Sequence, residues 1–327
     1  MKIDRILISR IDAIGDVTLT LPMCGYLKSL FPSSEIYFLG RGYTQAVIEA
    51  CSAIDHFIDY SKLSDLPAVK QSAHFKSLSL DACIHVLPNK RLSFILKNAG
   101  IPFRLGTTNR WFHWLTCNKL VKLSRRKSNL HEAELNLRLL SPLGVKDFPA
   151  LESLHNYYHF DRITGLPEDI NRLLSADKFN LILHPKSHGS GKEWPLAAYK
   201  NLIELLPAEK YRVFISGSEK EKPLLAGWIK TLNPEVVDLT GRMNLAELIA
   251  FLHKSDGLIA SGTGPLHLAA ASGIHALGLF PSTKPIHPGR WAPLGRRATY
   301  IESGGENLDR ITADQVALKM QAWFKSE

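Results

Sequence analysis

Short apolar runs alternate with amphipathic stretches along most of the chain. Residues 5–9 (RILIS) and 35–39 read as strands, as do 82–86, 180–184, 211–216, 258–260 and 276–280. Each is too short for a helix and rich in branched side chains. Between them, residues 17–30, 43–50, 91–99, 131–143, 196–206, 219–232, 244–254 and 312–324 repeat apolar positions at helical spacing. This alternation predicts parallel sheets with helices on both faces. The pattern lapses over 147–167, which reads as a linker, and then resumes. Two similar α/β halves imply a cleft between them, a common place for ligands.

The chain is long enough for two domains. At 327 residues it is 45% hydrophobic and 22% charged, a soluble globular composition. Its four cysteines, Cys24, Cys51, Cys83 and Cys117, form no C-x-x-C pair, so free thiols in a reducing compartment are expected. Asp4, Arg5, Arg10 and Asp12 interrupt the N-terminal apolar run, which argues against a signal peptide. The apolar run 268–280 is too short to span a bilayer. A formal charge of +9 suits anionic partners: nucleic acid, nucleotides, phosphorylated sugars or anionic lipid.

Candidate chemistry centres on Ser261-Gly262-Thr263-Gly264-Pro265. A buried strand runs into a glycine turn, and Pro265 suits the first turn of the next helix. Strand, glycine turn and helix N-terminus together can hold a phosphate; an ordinary βα turn looks the same. Ser187-His188-Gly189-Ser190-Gly191-Lys192-Glu193 resembles a P-loop but carries Lys186 and Glu193 where the pattern needs Gly and Ser or Thr. Lys192 could still reach a phosphate as a point charge. Asp16 follows the first strand and could be a general base or a helix cap, and residue chemistry alone favours the cap. Residues 110–127 interleave Trp111, Phe112 and Trp114 with Arg110, Lys119, Lys122, Arg125, Arg126 and Lys127. Such a stretch suits nucleic acid, a membrane surface or an anionic glycolipid, or it is a solvated basic loop beside an aromatic patch. No H-E-x-x-H or G-x-S-x-G motif occurs.

Taken in order, these pieces resemble glycosyltransferase family 9, the ADP-heptose:lipopolysaccharide heptosyltransferases. The resemblance covers nearly the whole chain. It rests on Ile6 to Val17 with Gly15-Asp16, on His131-Glu132-Ala133-Glu134, on Lys192-Glu193-Trp194-Pro195, on Leu239-Thr240-Gly241 with Leu245-Ala246-Glu247-Leu248, and on Thr263-Gly264-Pro265-Leu266-His267. It implies an α/β GT-B architecture of two Rossmann-like, doubly wound domains facing across a cleft. Residues 1–160 would bind acceptor and residues 161–327 the nucleotide sugar, the last helix packing back on the first domain.

The implied reaction is inverting transfer of heptose from ADP-heptose to the inner core of lipopolysaccharide. Asp16 would be the base and Lys192 would neutralise the leaving diphosphate. Ser187, Glu221, Met243, Thr263, Gly264, His267 and Lys284 would bind donor, and Arg10, Arg110, Arg125 and Arg126 the acceptor. No metal, no tightly bound cofactor and no nucleic-acid partner are implied. The protein would be cytoplasmic, peripheral at the inner face of the inner membrane. Two positions depart from the family pattern: Gly262 and Lys284 stand where acidic residues are usual, which opens the identity of the donor. The alternatives are a diverged member with another donor, a nucleotide-sugar-binding protein without turnover, and a nucleic-acid-binding module built on 110–127.

Overall fold

The computed structural model describes residues 3–187, 189 and 191–324. They form two compact units that part between Arg162 and Ile163. The first holds a parallel sheet of β1 (Arg5–Ser9), β2 (Glu35–Gly40), β3 (His56–Asp59), β4 (Ala82–His85), β5 (Phe103–Thr107) and β6 (Lys119–Val121), in the order β3-β2-β1-β4-β5-β6. The second holds β7 (Phe179–His184), β8 (Tyr211–Ile215), β9 (Val237–Asp238), β10 (Gly257–Ser261), β11 (His275–Phe280) and β12 (Ala298–Glu302), in the order β12-β11-β10-β7-β8-β9. Both orders are Rossmann-like, doubly wound arrangements. Ile6, Leu7 and Ile8 of β1 and Leu258, Ile259 and Ala260 of β10 are fully buried, as strands covered on both faces must be. All four cysteines are buried thiols.

Two expectations change. The helix read over 17–30 is two helices, Ile14–Thr18 and Leu21–Leu30. Pro22 lacks the N–H that would continue the ladder and crowds the preceding turn, and the Thr20 hydroxyl donates to Asp16 O at 2.8 Å. The stretch 147–167 is mostly not a linker. Its 3-10 helix Leu151–Tyr157 packs on Leu21–Leu30, Leu154 and Tyr158 are buried, and Phe160 bridges to Cys51. Close packing at Gly25, where a Cβ would lie 2.5 Å from the His159 ring, fastens this segment to the first unit. The last helix, Ala313–Met320, packs on Leu196–Leu205 within the second unit. Val316, Met320 and Trp323 are buried in the second core, and Trp323 stacks on Phe179 with centroids 5.6 Å apart.

Candidate active site

In the first unit the strand order reverses between β1 and β4, the place where open α/β sheets carry ligand-binding groups. Arg10 follows β1 directly and is buried. Its Nε donates to Asp12 Oδ1 at 2.7 Å, its Nη1 to Glu132 Oε1 at 3.0 Å, and its Nη2 to Asp16 Oδ1. Arg125 Nη1 donates to the same Glu132 oxygen. Arg125 Nη2 donates to Val86 O at 2.9 Å, just past β4, and to Asn136 Oδ1 at 3.0 Å. Asn136 Nδ2 in turn donates to Leu19 O at 3.1 Å, between the first two helices. Glu132 has no exposed side-chain surface, so two arginines supply the countercharge its burial demands.

Asp16 keeps 20% of its side-chain surface exposed. Its carboxyl is pushed up to about 6: burial raises it, Arg10 opposes, and the like charges of Asp12 and Glu132 add to the rise. Arg10 is the converse. Burial works against its charge, but Asp16, Asp12 and Glu132 outweigh that and hold it protonated above its ordinary value. The cap reading of Asp16 is corrected: the helix N-cap is Ala13, with no side-chain capping bond, and the Asp16 carboxylate is drawn to Arg10. Arg10, expected to meet the acceptor, donates here to Asp12, Glu132 and Asp16, and so holds the Asp16 carboxylate in place. Arg125 likewise braces Glu132, while Arg110 and Arg126 are exposed and stand outside this cluster.

Asp12, Glu132 and Asn136 escaped sequence reasoning. A signal existed in His131-Glu132-Ala133-Glu134. Glu134 Oε2 accepts from the His131 backbone N–H at 2.9 Å as part of a capping box, which leaves Glu132 free to turn inward.

In the second unit the reversal lies between β7 and β10. The turn after β10 leads into the helix Gly264–Ala271, with Thr263 as N-cap and Pro265 in the first turn. The Thr263 side chain makes no capping bond. Thr263 Oγ1 and Ser261 Oγ are buried and have no hydrogen-bond partner among the described residues, a costly state that a bound group would relieve. The loop after β7 lies directly on this turn, since a Cβ on Gly191 would sit 3.0 Å from Gly262 O. Phe280 crowds Gly262: a Cβ there would lie 2.7 Å from the ring, so any side chain at 262 requires the ring to shift.

Ser187 ties that loop together. Its hydroxyl lies 3.0 Å from Gly191 O and 3.2 Å from Glu193 Oε1, and its backbone N–H donates to Glu193 Oε1 at 3.0 Å. Lys186 Nζ is 2.8 Å from Glu193 Oε2. Burial raises the Glu193 carboxyl, but the Lys186 and Ser187 bonds prevail and hold it below its usual range. Lys192 is exposed and makes no hydrogen bond or ion pair among the described residues. Trp194, two residues on, is buried, donates to Ile311 O at 2.9 Å and meets Tyr199 edge-on at 4.7 Å, which anchors the loop's far end. His188 and Ser190 of this motif lie outside the described residues.

Glu221 is buried and accepts from Ser218 N at 2.7 Å and Ser218 Oγ at 2.9 Å, which closes the turn after β8. Gly241, at φ +68°, donates to Gly217 O at 2.9 Å and joins that turn to the loop bearing half-buried Met243. His267 is buried within the helix after β10, and Lys284 is exposed in the loop after β11. Thr263 and Gly264 are thus brought together with the Ser187–Lys192 loop. Glu221 and Met243 flank them on one side of the sheet's carboxyl edge, and Lys284 stands on the other. Among the described residues no three His, Cys, Asp or Glu side chains group as metal ligands.

The chain is 28% identical, over 99% of its length and 97% of the relative's, to a Haemophilus influenzae protein whose glycosyltransferase activity is itself only inferred. A glycosyltransferase of family 9 from Veillonella parvula superimposes with a TM-score of 0.83 at 18% identity, covering 100% of this chain and 99% of that one. The E. coli ADP-heptose lipopolysaccharide heptosyltransferase II superimposes with a TM-score of 0.78 at 19% identity, covering 98% of each chain. The family model for glycosyltransferase family 9 (heptosyltransferase) matches residues 73–319. A GT-B-type pair of Rossmann-like sheets, a tuned carboxylate after β1 and a glycine turn after β10 therefore meet in one chain, which belongs to glycosyltransferase family 9.

Proposed function

We propose that this enzyme transfers heptose from ADP-heptose to the inner core of lipopolysaccharide with inversion. The observation that carries this reading is Asp16: a carboxylate at the switch point of the first sheet, held by Arg10 and tuned to about 6. At neutral pH it is ionised yet more basic than an ordinary aspartate, as a general base should be. The acceptor hydroxyl oxygen forms a bond to the anomeric carbon as the bond from that carbon to the diphosphate oxygen breaks. The hydroxyl proton passes to Asp16, and the electron pair leaves with the diphosphate. Lys192 and the free amides at Thr263-Gly264 receive that growing charge. No enzyme nucleophile is needed.

A lipid-linked acceptor would keep the protein peripheral at the cytoplasmic face of the inner membrane. Among the described residues no helix is long and apolar enough to cross one. A second reading keeps the chemistry and changes the donor. It is favoured by Phe280 filling the space beside Gly262 and by Lys284 standing where the family pattern is acidic. A panel of ADP- and UDP-sugars separates the two, because a ligand that binds only the native state raises its melting point. ADP-heptose is expected to give the largest shift; a larger shift from another nucleotide sugar selects the second reading.

A further inference from the structure

One surface of the first unit is not absorbed by the reaction. The short helix Trp111–Thr116 buries His113 and Thr116 and turns its other side out: Trp111 is 60% exposed, Trp114 62% and Leu115 55%. The Trp114 indole is held in place by a bond from Nε1 to Thr108 O at 2.9 Å. Cations converge on the same helix. Lys90 Nζ lies 4.8 Å from the Trp111 ring centroid, Lys97 Nζ donates to Leu115 O at 2.9 Å, and Arg104 Nε donates to Thr116 O at 2.7 Å. Exposed Arg110 precedes the helix. None of these four forms an ion pair among the described residues.

The charge is concentrated here by composition as well. Between Asp81 and Glu132 the chain has ten lysines and arginines and no acidic residue, which more than accounts for its formal +9.

We infer that this face docks on an anionic lipid bilayer, with Trp111, Trp114 and Leu115 at the headgroup boundary and Lys90, Lys97 and Arg110 on the lipid phosphates. Indole rings favour that boundary, and exposed apolar side chains beside cations bind anionic interfaces through area and charge together. A second copy of the chain fits poorly, because self-pairing would press these cations against their own counterparts. The inference specifies the surface left open in the membrane-proximal reading above, and it does not depend on the identity of the sugar.

The test uses the full chain and vesicles that contain no lipopolysaccharide. Flotation with phosphatidylcholine vesicles, with and without about one-third phosphatidylglycerol, is expected to show binding only to the anionic set, weakening as salt rises. Trp111→Ser with Trp114→Ser should reduce that binding at least tenfold while circular dichroism and the melting point stay put, since both rings are exposed. Lys90→Glu with Lys97→Glu should do the same. The double tryptophan variant should keep wild-type transfer to a water-soluble acceptor fragment and lose it to vesicle-embedded acceptor. Equal vesicle binding by wild type and variants would overturn the inference. So would a tryptophan-dependent dimer in sedimentation, or tryptophan-dependent binding to single-stranded RNA with no vesicle binding. Vesicle binding without any sugar transfer would leave the docking face standing and sink the transferase reading instead.

Discussion

Around Arg10, guanidinium donors meet carboxylates on three sides before any ligand arrives. Around Thr263 the reverse holds: buried hydroxyls lack partners, and Lys192 projects from its loop unpaired among the described residues. The two sheets share one strand order, and both clusters stand at its reversal. The difference teaches how work is divided. The first unit sets the basicity of Asp16 with groups that are always present. The second leaves two buried hydroxyls and Lys192 without partners among the described residues, and under the proposed function the donor diphosphate would supply them.

Breaking the first cluster at its reactive group should have the largest effect. Asp16→Asn is expected to lower turnover by about 10²–10⁴-fold while nucleotide binding by calorimetry stays unchanged. The wild-type rate should fall on the acid side of about pH 6 as Asp16 takes up a proton. The same shift has a stability consequence. Because its folded pKa lies above the ordinary value of 3.8, the native state holds a proton that the unfolded chain releases. This group's contribution to stability therefore declines as pH rises through that window, and Asp16→Asn should abolish the decline in denaturant melts. A normal turnover rate for that variant would remove Asp16 from the chemistry.

Arg10→Ala tests whether the cluster is structural in its own right. It leaves three carboxylates facing one another, and a loss of about 3–5 kcal/mol in urea unfolding is expected; a loss under 1 kcal/mol would show that the pairing contributes little. Lys192→Ala is the matched experiment in the second unit. Rate should fall about 10²–10³-fold and donor affinity should weaken, with no change in unfolding because no partner is left behind. Wild-type donor affinity and rate would count against its role. Lys284→Ala should have the smallest effect, less than about fivefold in turnover for an exposed charge. A larger loss would make Lys284 part of the charge-neutralising set.

How much of this was legible in the residues follows the physics of burial. β1, β2, β4, β7, β8, β10 and β11 are interior strands, covered on both faces, and their continuous apolar runs announce them. The edge strands β3, β6, β9 and β12 were missed, because a half-solvated edge such as HFID or ATYIE carries no such run. β5 was missed too, since Arg104 and Gly106 interrupt it. The glycine turn after β10 was readable because glycines and Pro265 prescribe a backbone conformation locally. The ion cluster was not, since Arg10, Arg125 and Glu132 meet only after the chain folds. Asp12 and Asp16 lie two and six residues from Arg10, but Glu132 lies 122 residues away, and across that distance no spacing marks the pair.

Phe280 also couples two positions. With its ring 2.7 Å from where any β-carbon at position 262 would begin, a side chain added there alone overpacks a filled interior. Shrinking the aromatic alone leaves a cavity with its own penalty. A larger residue at 262 and a smaller one at 280 are therefore tolerated better together than either is alone.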